Sequence, residues 1–508
     1  MRKYREKILA ISLTFLLLVS AGCASKSKKM VIDNLDIPKL EHASITICFQ
    51  GKEPNGMKEV LEEAEKRSIA ELNVKLNFQF FYMDDDRYHD QMKSLISSGQ
   101  NCDAFMVVND SRSLLETFVE EGIAADITDL LSKYAPQISS QLDDRARNFA
   151  KVNNRLYAVP RLLPLPQRLG IAVRDDLLKK YKISAINNFD ELEAFLEKVK
   201  QGESSLYPMS GYSSSIGIFA QTYGYVVLDY MAGLVYKWDD KNMTLSAWEQ
   251  TPEYLEAEAR LASWYRNGYI PFGQTTGSIE SMYKTGKWAV ILTNSGDSLY
   301  YNLRNLADTD AINYSYSEFT LYPESKASRV SPLFLSFVIS NQSKNKERVL
   351  MFLDWIQAKV ENYRLFRYGL EERDYTLVNE SLTFPSTAKS PDDLFMNWYG
   401  GFAISNPKLE GPYWMGNGSY DFSKHWDEVC RNTEYVPHNG FVPDYTAEYS
   451  CYITRRSSIN DTLTKMHQGQ YQLKDSEDYI QKMKNAGTDK FVQAIQQQLD
   501  QWRKDNGQ

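Results

Sequence analysis

Cysteine and histidine are scarce in this chain, five of each in 508 residues. No two cysteines form a C-x-x-C pair, so neither a zinc ribbon nor a thioredoxin-like redox motif is expected. His42, His89, His425, His438 and His467 are scattered, and no two share metal-ligand spacing on a helix. No metal site and no cofactor are expected. A G-x-S-x-G nucleophile elbow is absent, and so is a phosphate loop, because Gly286-Lys287 runs straight into Trp288. The run Asp84-Asp85-Asp86 lacks the spaced ligands and the glycine of a calcium loop and reads as a solvated turn. Basic residues are outnumbered, 58 against 66, for a formal net charge of −8. With no basic stripe either, nucleic acid is not an expected partner. Beyond the first residues no apolar run approaches membrane-spanning length; the longest, 330–340, is strand-sized. There is no internal repeat and no low-complexity segment.

What is present begins at the N-terminus. Arg2, Lys3, Arg5 and Lys7 precede an apolar stretch from Ile8 to Val19. That order is a secretory signal, and the stretch is too short to span a bilayer, which takes about 20 residues. Val19-Ser20-Ala21-Gly22-Cys23 looks like a lipobox. The likeness implies cleavage before Cys23 and lipid on that residue, leaving the mature protein outside the cell membrane and held only by its lipid. Residues 23–43 are polar in their first part and read as a tether. Export makes disulfides possible for Cys48, Cys102, Cys430 and Cys451. Cys48 lies in one predicted strand and Cys102 just before another, so they could be neighbours, and buried free thiols are the competing reading.

From Ser44 the pattern alternates strand and helix. Ser44 to Gln50 is a strand entering a loop at Gly51, and Met57 to Ala70 repeats apolar residues at helical spacing. Val74 to Tyr82 is a second strand, Tyr88 to Ser97 a helix, and Asp103 to Val108 a third strand. This is the grammar of a parallel sheet with crossover helices, whose ligand crevice lies beyond the carboxyl ends of the strands. Leu156 to Pro160 and the prolines that follow suggest a crossing between lobes. Gly286 to Thr293 and Leu333 to Ser340 are further strands, and Lys346 to Val360 is an amphipathic helix. Helices dominate from about Tyr445 onward.

Several of these stretches, taken in order, resemble the family 1 extracellular solute-binding proteins, and among them the large lipoproteins with an additional C-terminal domain. The match rests on Tyr88 to Gly99 followed by Asp103, on Glu121 to Leu131, and on Asn154-Arg-Leu-Tyr-Ala-Val-Pro160. It continues through Val173 to Leu178, Phe189 to Leu196, Lys284 to Ala289 and the closing Gln496 to Trp502. Two departures stand out: Asn154 replaces the usual glycine, and Asn101-Cys102-Asp103 an acidic or proline-rich step. The resemblance implies an α/β fold, a two-lobed clamp with hinge crossings and a helical C-terminal extension. On that pattern residues 1–22 are the signal peptide, and 44–156 with 294–341 form the N-terminal lobe. Residues 157–293 with 342–440 form the C-terminal lobe, and 441–508 the extension. The expected protein is a monomer that binds a small-molecule solute without altering it and delivers it to the permease subunits of an ABC importer. A carbohydrate, as an oligosaccharide, is the expected solute. A peptide or other polar solute on the same fold is an alternative. A glycoside hydrolase is another, since it needs only two carboxylates about 5–9 Å apart across a cleft.

Candidate ligand-binding residues follow from loop position and chemistry. Gln50, Lys52, Asn109 and Asp110 stand at strand ends of one lobe, and Arg161, Tyr212, Asn294 and Asp297 in loops of the hinge or second lobe. Amides and carboxylates match sugar hydroxyls, and arginine offers a fork of donors. Trp288, Trp398, Tyr399 and Trp414 are candidate stacking rings, with core packing as the competing role for each tryptophan.

Overall fold

The computed structural model describes residues 40–505 except 109–111, 164, 212–213, 273–278, 295–314, 330, 386–392, 415–418 and 439. Cys23 and the signal segment lie outside the described residues. Strand β1 (Ala43–Gln50) is followed by helix α1 (Met57–Leu72), β2 (Val74–Phe81), α2 (Asp85–Ser97) and β3 (Ala104–Val107). β1 is central and pairs parallel to both β2 and β3. It is buried from Ile45 to Gln50, as a strand covered on both faces must be. In α1 the buried residues Met57, Val60, Ala64, Ser68 and Leu72 recur every three or four positions, one stripe against the sheet. The helix stops at Asn73, whose left-handed backbone lets its N–H reach back to the last carbonyls. The acidic run has a local use: Asp84 caps α2 by accepting from the Arg87 N–H at 3.0 Å, and Asp85 and Asp86 lie in its first turn.

The chain leaves this lobe through β4 (Pro166–Gln167) and enters β5 (Leu169–Arg174). β6 (Tyr207–Met209), β7 (Tyr225–Asp229), β8 (Trp288–Asn294) and β9 (Tyr316–Thr320) follow. The second lobe's sheet runs β9-β5-β8-β6, and β7 belongs to a smaller sheet beside it. The return passes through β10 (Ala327–Arg329) into β11 (Ser336–Ile339), which pairs antiparallel with β3 and completes the first sheet. Helix α3 (Lys346–Ala358) and the segment behind it also pack on that first sheet. The chain crosses a third time at β12 (Thr433–Tyr435). β10 pairs with β12 on one side and β4 on the other, so the three crossings form one hinge sheet.

Two lobe boundaries differ from the sequence expectation. The sequence puts residues 342–440 in the second lobe, yet within that stretch Phe352, Trp355, Phe366, Tyr413 and Trp426 share one core with Ile47, Phe105 and Phe337. An amphipathic helix shows that it is buried, not against which sheet. The return to the first lobe was set at Asn294, but β9 adds to the second sheet beside β5 and the crossing falls at β10. After the third crossing come α4 (Tyr449–His467), α5 (Leu473–Asn485) and α6 (Thr488–Asp505). They pack on the second lobe, with Met466, Tyr479 and Met483 against the core of Tyr254 and Trp248. Phe491, Ile495 and Leu499 cover Val226, Leu234 and Tyr236. Cys48, Cys102, Cys430 and Cys451 are free thiols, all buried except Cys430, which is half-buried.

Candidate functional site

The register of the first sheet defines a rim. Gln50 stands level with Phe81, and Val107 with Ser336, so β1, β2 and β3 end where β11 begins. Gly51 turns the chain out of β1 with φ of 110°, a conformation that side-chain-bearing residues avoid, and its N–H donates to Phe81 O at 3.0 Å. Gln50 lies just inside. Its Nε2 donates to Met83 O at 2.6 Å, while its Oε1 is buried with no hydrogen-bond partner among the described residues. Lys52 is exposed beside it.

Two exposed rings border this turn. Tyr399 is 43% exposed, and its ring edge lies 3.5 Å from the position a Cβ on Gly51 would take. Tyr82, 85% exposed, directly follows Phe81. Sequence reasoning did not select Tyr82, although it closes a predicted strand and the rule that chose Gln50 applied to it equally. Trp398 faces the other way. It is 6% exposed, folds over Gly400 and Gly401, and packs on Phe49 and Phe80 at centroid distances of 5.2 and 6.1 Å. It supports the rim from inside the core, with its Nε1 buried and unpartnered among the described residues. Trp414 is half-buried in a two-residue strand pairing with Ser419 and Tyr420.

In the second lobe Asn294 is exposed at the end of β8, level with Leu169 just past the hinge. Ser210 directly follows β6, and its hydroxyl accepts from Leu292 N–H at 3.0 Å. Trp288 sits at the opposite end of β8, buried against Tyr207 at 4.8 Å and grouped with Tyr283 and Tyr316. A strand of this length spans about 20 Å, so Trp288 is a core residue that does not share an edge with Asn294. Asn109, Asp110, Tyr212 and Asp297 lie outside the described residues.

Arg161 joins the rim to the hinge. Its N–H donates to Pro332 O at 3.1 Å, and its guanidinium lies 5.6 Å from the Phe334 ring centroid. Burial pushes that guanidinium down to about 10, with Tyr435 of β12 acting the other way. A cavity of about 290 Å³ opens against the hinge sheet. Gln167, Ser328 and Arg329 reach it from the crossing strands, and Tyr225, Tyr230 and Trp238 from the second lobe. Its buried His438 meets Tyr236 Oη at 2.7 Å, and burial holds that imidazole down at about 4. The lobes also touch through His425 Nε2 and Glu318 Oε1, 3.9 Å apart. Amides, a guanidinium and exposed rings thus stand where two lobes meet around a three-stranded hinge, an arrangement suited to gripping a polar solute with flat faces.

Known proteins share this layout. A carbohydrate ABC transporter substrate-binding protein of Streptococcus pneumoniae is 25% identical over 365 residues, covering 71% of this chain and 70% of the relative. The solved N-glycan transport solute binding protein NgtS of Streptococcus pneumoniae superposes with a TM-score of 0.67 at 20% identity, over 91% of this chain and 100% of that one. FusA, an ABC-transporter substrate binding protein of the same species solved in complex with kestose, gives a TM-score of 0.53 at 17% identity, with 91% and 100% covered. The family model described as bacterial extracellular solute-binding protein matches residues 51–362, well over half of the chain, and the protein belongs to that family.

Proposed function

We propose that this protein captures an oligosaccharide between its lobes and hands it, unaltered, to the permease of an ABC importer. Family membership makes it an exported solute binder. The observation that carries the choice of a sugar is the pair of exposed rings, Tyr82 and Tyr399, flanking Gln50 at the strand ends of the first lobe. Flat rings cover pyranose faces, and amides satisfy hydroxyls in both directions. The named roles of the relatives, a carbohydrate transporter subunit and an N-glycan transport protein, support the same reading. Gln50, Lys52, Tyr82 and Tyr399 would form the first wall, with Asn109 and Asp110 continuing it. Asn294, with Tyr212 and Asp297, would form the second wall, and Arg161 the floor. Trp414 remains a candidate from the same lobe as Tyr399. The protein acts as a monomer, held to the outer face of the cell membrane by lipid on Cys23.

Calorimetric titration of the mature protein with a panel of oligosaccharides tests this. Uptake near a Kd of about 1 μM, or roughly −8 kcal/mol, is expected for at least one member. New reducing ends released during the titration would establish a hydrolase instead.

A further inference from the structure

Five arginines are fully buried among the described residues: Arg161, Arg168, Arg174, Arg367 and Arg455. Four of them have partners. Arg168 donates to the carbonyls of Tyr322, Pro323 and Arg431, and Arg174 to Asp176 and Gly286. Arg367 is paired with Glu410, and Arg455 with Glu249. Arg161 is the exception. It is 5% exposed, its Nε is buried without a hydrogen-bond partner, and no carboxylate among the described residues pairs with it. The acids on and before the hinge are engaged elsewhere: Glu434 by Arg145 at 3.2 Å, and Asp143 by Arg329 at 4.0 Å. What surrounds Arg161 is aromatic, with Phe334 beneath the guanidinium and Tyr435 nearby.

A desolvated cation with no counter-charge among the described residues is unfavourable in the solute-free protein. The Phe334 ring offsets only part of that cost, and a partner that arrives later would supply the rest. Its position names the direction of arrival. Arg161 stands between the start of β11, on the rim of the first lobe, and Pro166, where the hinge strand β4 begins. That places it on the first crossing, between the edge of the first sheet and the hinge sheet. A guanidinium presents a planar fork of donors that matches a carboxylate, sulfate or phosphate.

We infer that the solute carries an anionic group, and that this group pairs with Arg161 at the floor of the cleft. The inference rests on the oligosaccharide reading for the rest of the solute: an acidic glycan, with its neutral rings against Tyr82 and Tyr399 and its charge at the hinge. Pairing there also brings the ligand into contact with the crossing strands, so the charge is read where the lobes pivot.

The test compares a uronate tetrasaccharide, a sulfated tetrasaccharide and a neutral gluco-tetrasaccharide on the mature protein, with a short acidic peptide as a non-sugar anion. At least one acidic sugar is expected to bind about tenfold or more tighter than the neutral one, the size of a charge-assisted hydrogen bond. Arg161→Gln should abolish that preference, and Arg161→Lys, which keeps the charge but loses the fork, should restore only part of it. Which acidic sugar wins identifies the anion. Ligand-free melting supplies the second readout: Arg161→Gln and Arg161→Met should melt at or above the wild-type temperature, because they remove an uncompensated buried charge. Neutral sugar bound as tightly as acidic, with Arg161→Gln unaffected, overturns the inference and leaves the oligosaccharide reading standing. Binding of the acidic peptide alone, lost in Arg161→Gln, supports the anion and overturns the sugar. Silence from every anionic probe, or unfolding of both Arg161 variants, overturns the inference by making Arg161 a structural residue.

Discussion

Arg455 of α4 and Glu249 of the second lobe meet in a two-pronged ion pair, Nη1 to Oε1 at 2.6 Å and Nη2 to Oε2 at 2.8 Å. Both side chains are sealed from solvent, 0% and 2% exposed. Arg455 also donates to Ala232 O and to Thr488 Oγ1, so one guanidinium ties α4, the start of α6 and the second lobe together. The C-terminal extension is therefore welded to its lobe rather than appended by a linker. Arg455→Ala should lower stability by about 3–5 kcal/mol, because it strands a buried carboxylate. Pairing Arg455→Met with Glu249→Leu should recover most of the loss. Denaturant unfolding of both variants, with Arg455→Met and Glu249→Leu as the matching single changes, checks this; additive losses in the double variant would show that the pair is not the coupling element.

A second buried charge predicts a pH dependence. Asp354 of α3 is 1% exposed; one oxygen accepts from Ile138 N–H at 2.9 Å and the other has no partner among the described residues. Burial pushes its carboxyl up to about 7, against the pull of the backbone donors of Ile138 and Gln137. The folded chain therefore holds this proton more tightly than the unfolded one. Its stabilising effect is complete below about pH 4 and is lost as pH rises to about 7. Asp354→Asn removes that loss. It should gain roughly 2–4 kcal/mol on wild type at pH 8 and little at pH 4, read as melting temperature across the range. Equal shifts at both pH values would mean that the carboxyl is ionised in the folded state throughout.

The first lobe's strand-helix alternation was legible because each element carries its own period, two for β1 and near four for α1. The rim followed from it, since ligand positions in such sheets are set by where strands end. Lobe membership beyond residue 294 was not legible. β9 and α3 are marked as buried by composition, but only tertiary packing decides which sheet each one covers. Trp288 shows the limit from the other side: the residue type was right for stacking, yet it opens its strand instead of closing it, which puts it a full strand length from the edge. Arg161 stands out in the sequence only as a donor fork, and nothing in the chain's order could reveal that its side chain, alone among the five buried arginines, has no polar partner among the described residues.

Anchoring gives a prediction independent of the fold. Among the described residues no helix is long and apolar enough to cross a membrane. If lipid on Cys23 is the tether, Cys23→Ala should move the protein from the washed membrane fraction to the medium. Each buried CH₂ of the acyl chains contributes about 0.8 kcal/mol, so their removal leaves little to hold it. A mutant retained on washed membranes would sink the idea.

Trp398 and Tyr399 are adjacent, and they should respond in opposite ways. Trp398 is held in the core by Phe49, Phe80 and Phe395, and the absence of side chains at Gly400 and Gly401 makes room for its ring. Trp398→Ala should therefore lower stability by about 3–5 kcal/mol through the cavity it leaves. Tyr399 turns outward beside Gly51, and its ring meets little that folding needs. Tyr399→Ala should leave the ligand-free melting temperature nearly unchanged and weaken solute binding about tenfold, the worth of one stacked ring. In a thermal-shift series, solute at 100 times Kd should stabilise wild type by about 2.7 kcal/mol and the Tyr399 variant, at the same concentration, by about half of that. Trp398→Ala should keep its ligand-induced shift on a lowered baseline. The reverse pattern, a stable Trp398→Ala that no longer binds beside an unstable Tyr399→Ala, would move the stacking surface to the inner ring and turn the rim inside out.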